Sequence, residues 1–116
     1  VVFAKKTPTV NIYADIYTSK VSSFTHKKDY DIYVSKQFIN KDDNILIIDD
    51  FLAKGSALSA LINLINHAGA KTVGAGIVIE KAFQEGGKII RDMGVRVESL
   101  ARIQEMTEDG GIVFTD

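Results

Sequence analysis

Residues 45–58 read Ile-Leu-Ile-Ile-Asp-Asp-Phe-Leu-Ala-Lys-Gly-Ser-Ala-Leu, and the order of chemistries along this stretch decides the fold. Four consecutive branched apolar residues suit a strand covered on both faces, as strands of parallel sheets are. They run into two adjacent acids and a short loop with one glycine, and from Ser56 onward the apolar residues recur with helical spacing. A strand that feeds a helix through a short loop opens a parallel α/β unit. Ligands of such sheets sit outside the carboxyl ends of the strands, which is where residues 45–48 deliver Asp49 and Asp50.

The loop that follows has its own chemistry. The first N–H groups of a helix are free, and together with the positive end of the dipole they favour an anion such as phosphate. Gly55 allows close backbone approach, Ser56 adds a hydroxyl and Lys54 a charge. Carboxylates accept hydrogen bonds from a diol while the loop takes the anion, so a ribose phosphate satisfies both halves. The plainer alternative is a helix cap beside a surface acid. A P-loop does not fit, because it needs Gly-x-x-x-x-Gly-Lys-Ser/Thr, whereas here Lys54 precedes Gly55. A phospho-acceptor receiver domain does not fit either, since residues 94–100 (Gly-Val-Arg-Val-Glu-Ser-Leu) supply no second strand-end Asp.

Working outward, residues 56–68 form a predicted helix with Leu58, Leu61, Ile62 and Ile65 on one face and Ser59, Asn63, Asn66 and His67 on the other, closed by Gly69. Residues 72–79 read as the next buried strand, with Gly74 and Gly76 permitting close approach of a neighbour. Glu80-Lys81-Ala82-Phe83 reads as a loop at its carboxyl end. Lys81 is placed to donate to a carbonyl of a planar ligand and Phe83 to stack on it; the ordinary alternative is a solvated lysine. A short helix at 87–93, a strand at 95–103, a turn at Asp109-Gly110-Gly111 and a final strand at 112–114 complete the pattern.

The first third differs in kind. Residues 1–5 read as a strand, broken at Pro8. Residues 10–35 hold Tyr13, Tyr17, Tyr30, Tyr33 and Phe24, with Lys20, His26, Lys27 and Lys28 toward the middle. This composition suits an antiparallel ribbon with a basic tip. The expected fold class is therefore α/β: a mainly parallel sheet with flanking helices and an attached antiparallel ribbon, in one domain over 1–116.

Composition narrows the function. The formal net charge of −1 provides no general field for nucleic acid or an anionic membrane. No apolar run approaches the ~20 residues of a membrane helix. With no cysteine there is neither a disulfide framework nor a thiolate metal site, and two distant histidines make no metal centre. Cytoplasm is the default.

Strand, acid pair, short loop and helix N-terminus together resemble the signature of the type I phosphoribosyltransferases. With "VVFAKK" (1–6), "VSSFT" (21–25), "LIIDDFLAKG" (46–55), "GIVIEKAFQEGG" (76–87) and "RVESLARI" (96–103) in this order, the chain is similar to the xanthine-using bacterial branch of that family over nearly its whole length. The resemblance implies transfer of phosphoribose from 5-phosphoribosyl 1-pyrophosphate (PRPP) to N9 of xanthine, with Mg2+ carried in by the pyrophosphate substrate. Asp49 and Asp50 would hold the ribose hydroxyls at the catalytic centre. Ala53, Lys54, Gly55, Ser56 and Ala57 would wrap the 5-phosphate, and Lys81, with Phe83, would meet the purine. It also implies a ribbon that closes over the site to exclude water, and a homodimer in the full-length enzyme.

Three positions depart from the wider family. Lys54 and Ser56 stand where its loop often has Thr and Gly. Ala53 replaces the acid of the hypoxanthine-guanine enzymes, removing a candidate general base as the adenine enzymes do. Family members also carry a segment ahead of a "VVFA" strand, supplying the pyrophosphate loop and part of the purine pocket. The expectation is thus an N-terminally incomplete domain, inactive as 116 residues alone. The rival readings are a guanine or hypoxanthine enzyme, and a purine-responsive transcription regulator that keeps the fold without the chemistry; the Lys81-x-Phe83 pair counts against the regulator.

Overall fold

A computed structural model of the chain describes residues 1–7, 15–22 and 29–116. The expectations for Pro8, Tyr13, Phe24, His26, Lys27, Lys28 and the ribbon tip lie outside those residues. The elements are β1 (Lys5–Thr7), β2 (Ile16–Ser22), β3 (Asp29–Ser35), a 3-10 turn (Lys36–Phe38), β4 (Asn44–Leu52), α1 (Ser56–His67), β5 (Lys71–Lys81), α2 (Gly86–Asp92), β6 (Val97–Met106) and β7 (Ile112–Thr115). They group into two compact units, one of residues 1–45 and 56–72, the other of residues 46–55 and 73–116.

The first unit is a three-stranded antiparallel sheet in the order β1-β3-β2, with α1 packed chiefly on β2. The ribbon is present as β2 and β3, in register from Ile16↔Ser35 to Ser22↔Asp29. The expected strand at 1–5 is displaced: β1 begins at Lys5 and pairs Lys5↔Tyr33 through Thr7↔Asp31, while Val1 and Phe3 are exposed. Pairing to β3, rather than apolarity, selects the strand residues, because a strand is defined by its ladder. Val21, Ile32 and Val34 are buried, as are Leu58, Ile62, Leu64 and Ile65 of α1. The helix ends as expected. Gly69 has φ 77°, its N–H donates to the Asn66 carbonyl at 3.0 Å, and the Ala70 N–H donates to the Ile65 carbonyl at 3.2 Å. The left-handed residue thus lets the chain satisfy carbonyls that the helix leaves open.

The second unit is built on a four-stranded sheet ordered β4-β5-β6-β7. β5 and β6 are parallel, from Ala75↔Val97 to Lys81↔Ile103, and β6 and β7 are antiparallel with a bulge between Ile103 and Glu105. The α/β class is as expected, and the parallel pair β5–β6 carries an antiparallel edge strand, β7.

The bounds of three strands are corrected. β4 runs on to Leu52, so Asp49 and Asp50 lie inside the strand; Leu52, only 2% exposed, anchors its end. β5 runs on to Lys81, so Glu80 and Lys81 are strand residues rather than loop residues. β6 starts at Val97 and extends to Met106. β4 is also not covered on both faces: Leu46 and Ile48 are 59% and 70% exposed. Gly74 behaves as expected, since a Cβ there would come within 3.3 Å of the Arg96 carbonyl oxygen; at Gly76 the neighbour is instead the Ile48 side chain. Among the described residues no helix is long and apolar enough to cross a membrane.

Candidate active site

The acid pair begins with the backbone. The Asp50 N–H donates to Asp49 Oδ1, and the Phe51 N–H donates to Asp50 Oδ1, each at 2.8 Å. Each carboxylate accepts from the next residue's amide, a local bond typical of Asp. The two acids differ electrostatically. Burial raises the Asp49 carboxyl above its ordinary value, reinforced by the neighbouring Asp50. Asp50 is exposed and is lowered, first by its hydrogen bond with Asp49 and then by the Phe51 amide. Two adjacent carboxylates with opposed shifts share protons as a pair, and Asp49 takes the first one.

The loop then turns sharply. Gly55 has φ 84°, a left-handed conformation that glycine adopts without steric cost. A Cβ there would also stand 3.1 Å from the Gly86 Cα. Ala53, Lys54 and Gly55 belong to the second unit, whereas Ser56 and Ala57 open α1 and belong to the first.

Lys81, the last residue of β5, projects its Nζ to 5.8 Å from the centre of the Phe51 ring, within cation–π range. Lys81 thereby stands beside the residue that follows the acid pair. Phe83 is half exposed in the next turn, which is closed by the Gln84 N–H donating to the Lys81 carbonyl at 3.0 Å. Phe51 was not visible as a site residue in the sequence; its place directly after the two acids was the available signal.

Glu80, by contrast, faces the interior and is 1% exposed. Arg91 of α2 meets both its oxygens, at 3.0 and 2.9 Å, Ser99 Oγ donates to it at 2.7 Å, and Arg102 lies at 3.5 Å. These partners, Arg91 foremost, hold its carboxyl down to about 2. Glu80 is an organising residue of the unit. Finally, the Gly86 N–H donates to the Ala53 carbonyl at 2.9 Å, so α2 begins against the 53–55 loop.

The second unit thus brings an acid pair near the end of one strand and a lysine to the end of the adjacent strand. The phosphoribosyl transferase domain signature matches residues 3–104. The chain belongs to the type I phosphoribosyltransferase family. Over 115 residues it is 56% identical to a xanthine phosphoribosyltransferase of Lachnoclostridium phytofermentans, covering 98% of this chain and 59% of that protein. It is 57% identical over 114 residues to xanthine phosphoribosyltransferase 1 of Clostridium perfringens, covering 98% and 60%. The chain thus spans about 60% of the length of these curated relatives.

Solved structures share the fold. The adenine phosphoribosyltransferase of Giardia lamblia complexed with 9-deazaadenine has a TM-score of 0.77 at 24% identity, covering 90% of this chain and 57% of that one. That of Trypanosoma brucei, in complex with AMP, pyrophosphate and ribose-5-phosphate, has a TM-score of 0.76 at 18% identity, covering 94% and 48%.

Proposed function

We propose that the chain carries the ribose-phosphate portion of an enzyme that transfers phosphoribose from PRPP to N9 of xanthine, yielding xanthosine 5-phosphate and pyrophosphate in purine salvage. The observation that supports this most is the placement of Lys81 beside Phe51, at the end of the strand adjacent to that of Asp49 and Asp50. The names and identities of the curated relatives supply the base.

In this reading Asp49 and Asp50 accept hydrogen bonds from the ribose hydroxyls and hold C1 in line for displacement. Residues 53–57 take the 5-phosphate at the start of α1. Lys81 donates to the exocyclic oxygen of the purine, and Phe83, half exposed, supplies a ring against the base. Among the described residues no three acids or histidines gather into a metal site, and Mg2+ enters as part of the substrate, held mainly by its phosphates. The ion, carried by pyrophosphate, would neutralise the leaving group. The working enzyme is a cytoplasmic homodimer.

The test is a chimera that supplies the part of the Clostridium perfringens relative this chain does not match. With PRPP, Mg2+ and xanthine it should form xanthosine monophosphate, while the 116-residue chain should not. A chimera that folds and uses adenine in preference to xanthine would refute the assignment of the base.

A further inference from the structure

We propose that α2 is a strut that fixes the separation between the 53–55 loop and the Lys81 turn, with Gly86 as its positioning residue. The inference rests on the phosphate reading of that loop and extends it to a coupling between the two halves of the site, all within the second unit.

One end of the strut is backbone against backbone. Besides the Gly86–Ala53 hydrogen bond, a Cβ on Gly86 would collide with the Ala53 carbonyl oxygen and stand 2.7 Å from the Gly55 nitrogen. Gly55 cannot yield, because it is itself held at positive φ with Gly86 at its back. Backbone atoms pinned on both sides do not rearrange as a side chain would.

The other end is the buried charge cluster. Arg91, on the last turn of α2, grips Glu80 through both oxygens. A Cβ on Gly87 would come within 2.5 Å of Glu80 Oε2, so the start of the helix rests on the same carboxylate. Glu80 is the residue before Lys81, and the Ala82 N–H donates to the Ile103 carbonyl at 2.8 Å, tying the strand end into the sheet. A helix of seven residues thus contacts the loop with its first residue and the base of Lys81 with its body. Movement of the loop on seating an anion is passed to Lys81 and Phe83. This also accounts for a buried carboxylate beside the site that takes no part in binding.

The experiment is an amide NMR titration of the 116-residue chain with ribose 5-phosphate. In the unaltered chain, amides of residues 53–57 and of 81–86 should shift along one binding curve. Gly86→Ala should weaken binding and abolish the response at 81–86. Glu80→Gln, which keeps the Gly86–Ala53 bond, should reduce the response of the turn while residues 53–57 still titrate; it carries the test if Gly86→Ala does not fold. Shifts confined to residues 53–57 in the unaltered chain, or an unchanged turn response in both variants, would overturn the strut alone. No binding by the unaltered chain would overturn the phosphate reading and the strut with it.

Discussion

Arg91 holds Glu80 in a two-point grip, Nη1 to Oε2 at 3.0 Å and Nη2 to Oε1 at 2.9 Å, although Glu80 is 1% exposed and the Arg91 side chain more than a third exposed. Planar forks of this kind are among the stronger hydrogen-bonded pairs. Breaking one by removing a single partner strands a buried charge.

The first prediction follows from that pair. Glu80 has a folded value of about 2 against an ordinary value of 4.5. A depressed carboxylate contributes stability that is complete above its unfolded value and lost as pH falls through the folded one. Stability should therefore decline between pH 4.5 and about 2, by at most about 3 kcal/mol at 1.36 kcal/mol per unit. Glu80→Gln should flatten that limb in urea denaturation measured across the range. An unchanged acid limb in the variant would mean that other carboxylates set it.

The acid pair gives the second. Asp49→Asn and Asp50→Asn should each weaken ribose 5-phosphate or PRPP binding ten- to hundredfold, since hydrogen bonds to charged groups are worth roughly 1.5–3 kcal/mol. Calorimetry at neutral pH measures this directly. Because Asp49 is raised and Asp50 lowered, affinity in the unaltered chain should begin to fall on acidification as Asp49 protonates. Equal affinity in both variants would remove the ribose assignment.

Gly55→Ala is the third. It places a side chain at φ 84°, costing on the order of 1–2 kcal/mol, and brings a Cβ to 3.1 Å from the Gly86 Cα. Sugar-phosphate affinity should drop along with the thermal midpoint. Gly110→Ala, also at positive φ but with open space around the added Cβ, should lower the midpoint and leave affinity alone. Parallel loss of affinity in both would show that strain alone, without loop position, accounts for the effect.

The fourth separates the two substrates. In the chimera, Lys81→Met keeps most of the stem and removes the donor. It should raise the Michaelis constant for xanthine and leave that for PRPP nearly unchanged. The reverse pattern, seen when each substrate is titrated at saturating levels of the other, would place Lys81 in the sugar-phosphate half.

Local chemistry was enough to read the helix from Ser56 closed by Gly69 and the ribbon strands, because each depends on residues within a turn or two of itself. Periodicity and capping act over that range. The ends of β4, β5 and β6 were not legible, because a strand continues for as long as a neighbour offers hydrogen bonds, and the neighbour comes from elsewhere in the chain. The same holds for Glu80. Beside Lys81 in the sequence it looks like a second site residue, yet side chains at positions 91, 99 and 102 bury it and fix its charge. Gly86 against Ala53 and Phe51 under Lys81 are likewise products of folding. Sequence by itself determined which chemistries lie along the strands and loops; tertiary structure decided where the strands end and which residues meet, because burial and ladder pairing join residues far apart in the chain.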